Sequence, residues 1–353
     1  MRTQSASGSL DVSMLAVDNN QSRRQFILIG ASAMALSVLP GVTHLTAHAQ
    51  TAAKATRVAF LAPGPRPAND QPVPMQKAFQ EGLRALGWIE GDTFALESRF
   101  AEGKFERIPE LVAELVRLDV KAIFALGSHA AAIVKRETAV PLVMIGDPVG
   151  TGLAASSERP GGTVTGLASI SQEICGRRLK LLADVEPGLS RAVIAANPDH
   201  PATPGVVRMT QLAAQALGID LTPVDVRTEK DFERAFETMV KAGVGAFVLY
   251  PVPMPDARIV QVAEIAIQRR LRWLDEIPRN ATLGALLAYG PDYPELARRA
   301  AGYVDKILKG SSPADLPIGA PEKFELVANL KTARALGLTI PESVLAQATN
   351  VVR

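Results

Sequence analysis

The 353-residue chain has a single cysteine, Cys175. An intrachain disulfide is therefore excluded, and such a chain can enter an oxidising compartment without mispairing. An excess of one charge is also missing: Lys plus Arg total 38 and Asp plus Glu total 36, with no basic block. That balance leaves no electrostatic footprint for nucleic acid. Histidine is scarce. Only His129 and His200 lie beyond residue 49, neither with a metal-ligand partner at useful spacing, so no metal site is expected. No Gly-x-Gly-x-x-Gly follows a strand and no Gly-x-x-x-x-Gly-Lys-Ser/Thr occurs; the Gly161-Gly162 pair lacks the strand-to-helix setting of either, and no cofactor is expected. Ser128 and His129 are chain neighbours, whereas a nucleophile and its base usually lie far apart in sequence. Cys175 sits beside Ile174 on a helix face and reads as core. No catalytic residue is assigned.

The chain is 47% apolar and 21% charged, the composition of a folded globular protein, and its length fits two domains behind a leader. The leader is read at 1–49. Ser22-Arg23-Arg24-Gln25-Phe26-Ile27-Leu28 precedes an uncharged run, and Thr46-Ala47-His48-Ala49 supplies a small-x-small cleavage pattern. The paired arginines look like a twin-arginine export signal. The alternative, a membrane anchor, wants about 20 strongly apolar residues. This run is shorter and contains Gly30, Ser32, Ser37 and Pro40. Beyond residue 49 no stretch could span a membrane as a helix.

The remainder alternates strands with amphipathic helices, which predicts an α/β fold of parallel sheets covered on both faces. Strands predicted at 57–62, 121–126 and 141–145 break at Pro63-Gly64, Gly127-Ser128-His129 and Gly146-Asp147-Pro148. A Gly-rich passage then leads through a strand at 163–168 and a helix at 172–185 to a strand at 191–196, which stops at Asn197-Pro198. Further strands are predicted at 246–250, 271–275, 283–288 and 324–329. Open parallel sheets bind ligands beyond the carboxyl ends of their strands. These breaks offer N–H groups and small polar side chains there, although ordinary βα turns use the same residues. An internal echo supports two lobes of one topology. Leu86-Gly87-Trp88 and Phe105-Glu106-Arg107 lead to the strand ending at Gly127, and Leu217-Gly218-Ile219 and Phe232-Glu233-Arg234 lead to the strand ending at Pro251.

Several motifs occur in one order across 57–350. They are Phe79-Gln80-Glu81-Gly82-Leu83-Arg84-Ala85-Leu86-Gly87-Trp88, Gly146-Asp147-Pro148-Val149, Arg159-Pro160-Gly161-Gly162-Thr163-Val164-Thr165-Gly166, Arg178-Leu179-Lys180-Leu181-Leu182, Pro187-Gly188-Leu189-Ser190-Arg191, Asn197-Pro198, Tyr289-Gly290, the run from Arg298 to Gly310, and Pro313-Ala314-Asp315-Leu316-Pro317. With these the chain resembles the bacterial ABC-transporter substrate-binding proteins of the tryptophan- and tyrosine-uptake type. The resemblance implies a type I periplasmic-binding-protein fold: two doubly wound parallel-sheet lobes joined by a three-crossing hinge. The crossings would fall near 169, 282 and 320. The first lobe would hold 57–168 plus 283–319, and the second 169–282 plus 320–353.

Carried over by position, the ligand contacts would be Ser128, His129, Asp147, Asn197, the Tyr250 turn and Tyr289; the strand-end turns add Gly64 and Gly127. Asp147 would accept from a ligand ammonium or hydroxyl, Ser128 and nearby N–H groups would take a carboxylate or carbonyl, Asn197 would close from the other lobe, and Tyr250 and Tyr289 would shape the apolar wall. The bland alternatives are a capping residue for Asp147, an Asn-Pro turn for Asn197 and a core tyrosine for Tyr289. The chain departs from the family in the Val-Pro-Met-Pro turn after Tyr250, in Ala288 before the Tyr-Gly, and in His129 where a small residue is common. The resemblance further implies a periplasmic monomer that closes over a small organic ligand, such as an amino acid. It would deliver that ligand to an inner-membrane ABC permease with a cytoplasmic ATPase. The alternative is a ligand-sensing protein that presents its ligand to a membrane receptor.

Overall fold

The computed structural model describes residues 55–67, 69, 71–227, 231–250 and 254–353. The leader at 1–49 and residues 251–253 of the proline-rich loop lie outside them. The first half alternates β1 (Thr56–Ala62), α1 (Pro74–Ala85), β2 (Phe94–Phe100), a 3₁₀ turn (Phe105–Arg107), α2 (Ile108–Arg117), β3 (Ala122–Leu126), α3 (Ser128–Glu137), β4 (Leu142–Gly146) and β5 (Val164–Ala168). The second continues with α4 (Gln172–Val185), β6 (Arg191–Ala196), α5 (Thr203–Leu217), β7 (Asp220–Asp225), α6 (Asp231–Lys241), β8 (Ala246–Leu249), α7 (Asp256–Gln268), β9 (Arg272–Asp275), α8 (Arg279–Thr282) and β10 (Leu287–Pro291). Then come α9 (Tyr293–Leu308), β11 (Phe324–Asn329), α10 (Leu330–Leu336), α11 (Glu342–Leu345) and β12 (Asn350–Val352).

The first sheet runs β2-β1-β3-β4-β5, all parallel. The second repeats that order as β7-β6-β8-β9-β10, also parallel, then adds β11 antiparallel to β10 and β12 parallel to β11. The echo in the sequence therefore reflects one topology used twice. In each sheet the chain order reverses beside the first strand, between β1 and β3 and between β6 and β8, where such sheets open a crevice. Strands such as Ala122–Leu126 are buried throughout, as strands covered by helices on both faces must be. One core face of the first sheet packs Phe60, Phe79 and Phe124 against Leu296, Ala300 and Val304 of α9. Each large side chain buried there contributes about 1.5–3 kcal/mol.

The chain crosses between lobes three times. Ser169–Ser171 joins β5 to α4, and Ser171 caps α4 by accepting from Ile174 N–H at 3.2 Å. At Asp292 the chain passes from β10 to α9, with its carboxylate capping α9 through Glu295 N–H at 2.9 Å. After Gly319, whose N–H bonds Gly166 O at the edge of the first sheet, the chain returns to β11. The middle crossing corrects the sequence-based placement near 282. Residues 287–291 pair in the second sheet, Leu287 opposite Leu274, and the crossing comes at Asp292. An apolar run such as Leu283–Ala288 carries no mark of the sheet it joins, which is why the sequence alone misplaced it. Strand β12 had no expectation. It is three residues long, too short for a periodic signal. No helix among the described residues is long and apolar enough to cross a membrane.

Candidate functional site

Two strand-end edges, one per lobe, supply the expected site residues. In the first lobe, Gly127 follows β3 at φ 83°, a backbone state that a Cβ disfavours, and turns the chain directly into α3. Its N–H is held by Ile145 O at 2.9 Å. Ser128, only 2% exposed, accepts at Oγ from Asp147 N–H at 2.8 Å, which locks the β3 turn to the β4 turn. Gly146 permits that contact, since a Cβ there would lie 2.6 Å from Ser128 Oγ. Asp147 Oδ1 accepts from Gly150 N–H at 2.9 Å, so the carboxylate caps its own turn. Burial raises the Asp147 pKa, and the Gly150 N–H partly offsets it. The Gly64 carbonyl accepts from Glu102 N–H at 3.1 Å and so braces the β2 connection.

In the second lobe, the Asn197 side chain accepts from Asp199 N–H at 2.9 Å, the turn-forming role open in the sequence, and its carbonyl accepts from Thr203 Oγ1 at 2.6 Å. This turn presents His200, which is 7% exposed and accepts at Nδ1 from Ala202 N–H at 3.2 Å. The two edges meet through rings. Phe105 stacks on His129 at 4.0 Å and 11°, His129 meets the edge of His200 at 6.0 Å and 84°, and His200 meets Tyr250 at 5.9 Å and 83°. The first two rings belong to the first lobe and the last two to the second. Burial lowers the pKa of His129, with Asp199 pulling the other way, and brings His200 down to about 4 with His129 adding to the shift.

Behind these rings lies a buried polar cluster that the sequence-based assignment missed. Arg178, on the inner stripe of α4 with Ile174, Cys175 and Leu182, is 2% exposed. Its Nε donates to Tyr289 O at 2.9 Å and its Nη1 lies 3.7 Å from Glu276 Oε2. Arg178 Nη2 and Tyr250 OH, both buried, have no hydrogen-bond partner among the described residues. Burial lifts Glu276 to about 7 against the pull of Arg178, and Asp275 to about 6 against the Ile277 N–H and the Asn280 amide. Burial also raises the Tyr250 phenol, which feels Glu276, Tyr293 and Arg178. The Cys175 thiol, raised by burial, feels Arg178, Glu276 and Asp147 together, so charge from both lobes converges there. Two signals in the sequence point to this cluster. Asp275-Glu276 ends a strand at the same edge as Asn197, and Arg178 interrupts an otherwise apolar helix stripe.

Tyr289 stands apart. Its ring stacks on Phe324 at 5.8 Å and 15°, and it lines a hollow of about 400 Å³ with Glu173, Ile174, Gly176, Arg177 and Lys180. All of these belong to the second lobe, and only the Tyr289 carbonyl reaches the cluster. No group of three or more His, Cys, Asp or Glu able to hold a metal occurs among the described residues.

A family model described as ABC transporter substrate binding protein matches residues 67–352. The chain belongs to that family. Its members bind a small-molecule substrate for an ABC permease and are not enzymes. The chain is 22% identical over 269 residues to a tyrosine-binding protein of Clostridioides difficile (strain R20291), covering 74% of this chain and 76% of that one. Among solved structures it is similar to a conserved domain protein from Vibrio cholerae (24% identity, TM-score 0.76, 84% of this chain and 100% of that one). It is also similar to an ABC domain in complex with L-Trp from Streptococcus pneumoniae (22% identity, TM-score 0.75, with the same coverage of 84% and 100%). At these identities the structures establish a shared fold, that of the type I periplasmic binding proteins. This ABC transporter substrate-binding protein thus places its two strand-end edges where such folds leave a crevice.

Proposed function

We propose that the protein is exported to the periplasm through the twin-arginine-type leader at 1–49. There it acts as a monomer, takes up an amino acid between the two lobes, and presents it to an inner-membrane permease coupled to a cytoplasmic ATPase. The observation that carries this reading is the pair of polar strand-end edges in ring contact across the cleft, Phe105 and His129 on one side and His200 and Tyr250 on the other. The ligands of these relatives, tyrosine and L-Trp, make an aromatic amino acid the leading candidate.

The mechanism is hinge closure. A ligand that touches both edges is fully desolvated only when the lobes shut, so it binds the shut state better and draws the population toward it. Asp147 on the first edge is the candidate partner for a ligand ammonium, and Ser128 holds it in place. Gly64, Gly127, Ser128, His129, Asn197 and Tyr250 would surround the ligand, and Tyr289 would act only through its carbonyl. The test is a thermal-shift screen of L-tryptophan, L-tyrosine and other amino acids, followed by X-ray scattering with and without the best binder. A raised melting temperature with a smaller radius of gyration is expected. Identical scattering curves with saturating ligand, or recovery of the compound chemically altered, would overturn the reading.

A further inference from the structure

We infer that Arg178 and Tyr250 form the anchor for the ligand's carboxylate, in a subsite walled by Glu276, and that the protein therefore selects ligands bearing a free carboxylate. This deepens the function proposed above and rests on its claim that an amino acid enters the cleft. It also moves the carboxylate from the Ser128 turn to the second lobe.

Three observations converge. First, a buried guanidinium wants several acceptors, and Arg178 makes one hydrogen bond, to Tyr289 O, while Nη2 has none among the described residues. Second, the Tyr250 hydroxyl, on a residue 1% exposed, is likewise without a partner at the end of β8. Third, Glu276, the natural counterion, stands 3.7 Å from Nη1, too far for a hydrogen bond. With its pKa raised to about 7, Glu276 is about half protonated at neutral pH, so it offsets the arginine's charge only in part. A buried cation kept without a full partner is costly to the fold. A carboxylate offers Nη2 a charge-assisted bond and gives the tyrosine hydroxyl an acceptor. Asp147 lies on the edge of the first lobe and Arg178 in the second, so the ammonium and carboxylate ends of an amino acid would be held from opposite lobes.

Isothermal titration of the purified protein tests this with L-tyrosine and L-tryptophan against tyramine and tryptamine, which lack only the carboxylate. The amines are expected to bind about a hundredfold more weakly. R178Q should weaken the amino acids by a similar factor and leave the amines unchanged, which erases the discrimination, and Y250F should do the same by about tenfold. Near pH 7.5 binding should also take up protons, because a carboxylate beside Glu276 holds that side chain protonated, while Asp275 and Tyr293 act on the same group. Titrations in buffers of different ionisation enthalpy read that uptake. Equal affinity for tyrosine and tyramine, or equal losses for both in R178Q, would overturn the anchor while leaving the function standing. Should neither amino acid bind the wild type, the functional reading fails, and melting of the ligand-free R178M/E276Q variant decides the anchor. A melting point at or above wild type supports a group kept for binding, and a lower one marks a structural pair and overturns it.

Discussion

The two edges that face each other across the cleft handle polarity in opposite ways. On the first, Ser128, Asp147 and Gly127 are bonded to the turns that carry them, so that edge is rigid before any ligand arrives. On the second, Arg178, Tyr250 and Glu276 are buried, and Arg178 Nη2 and the Tyr250 hydroxyl have no hydrogen-bond partner among the described residues. The lesson is one of division of labour within a doubled topology. A mostly bonded edge, on which His129 Nδ1 still lacks a partner among the described residues, fixes the shape of the site, and the other stores a desolvation cost that a ligand can relieve.

The largest expected effect comes from removing the stored cost. Glu276 has a folded pKa of about 7 against 4.5 unfolded, so the folded state holds a proton that the unfolded state releases. Its contribution is complete below pH 4.5 and is lost as pH rises toward 7. Glu276→Gln removes that dependence. Urea melts should coincide for variant and wild type at pH 4 and separate by on the order of 3 kcal/mol at pH 8, with the variant the more stable. Parallel profiles would mean that the second edge carries no such burden. Asp275, at about 6, shifts in the same sense but is present in both proteins and cancels.

The acid side belongs to His200, also on the second edge. Its pKa falls from 6.5 to about 4, so between those values the unfolded state binds the proton and stability drops as pH is lowered. His200→Gln should flatten that limb, which is worth about 3 kcal/mol. The rings facing His200 are those of His129 and Tyr250, and both stay in place. Ser128→Ala tests the first edge by contrast. It leaves the Asp147 N–H without its acceptor and should cost about 1–2 kcal/mol with little change from pH 6 to 8. A steep pH slope in its destabilisation would erase the distinction between the edges.

What the sequence could reveal follows the same division. The parallel α/β alternation, the repeated topology and the turns at Gly127-Ser128-His129 and Gly146-Asp147-Pro148 were legible, because turn chemistry and strand burial are local. The roles of those residues were less so: Asn197 forms its own turn, and Tyr289 turns its ring toward Phe324. Arg178 and Glu276 are 98 positions apart in the chain, one on a helix and one at a strand end, and only the folded second lobe shows that neither is solvated. The middle crossing at Asp292 was hidden for a related reason, since β10 owes its sheet to Leu274 rather than to anything in its own composition.

The smallest effect concerns the contact that joins the two edges. Phe105 lies flat on His129, which in turn meets His200. His129→Leu keeps an apolar side chain in place but removes the ring pair with His200 across the cleft, worth about 0.5–1.5 kcal/mol beyond burial. The turn that carries His129 should keep its backbone, because Gly127 N–H bonds to Ile145 O and Ala131 N–H to Gly127 O. Global stability should therefore change little. The change should appear instead in the balance between shut and open lobes, which moves about fivefold toward open for each kilocalorie lost. Interlobe fluorescence transfer in ligand-free protein should report the shift, and saturating ligand should restore the wild-type distance, because a ligand touching both edges supplies the closure energy that the rings no longer provide.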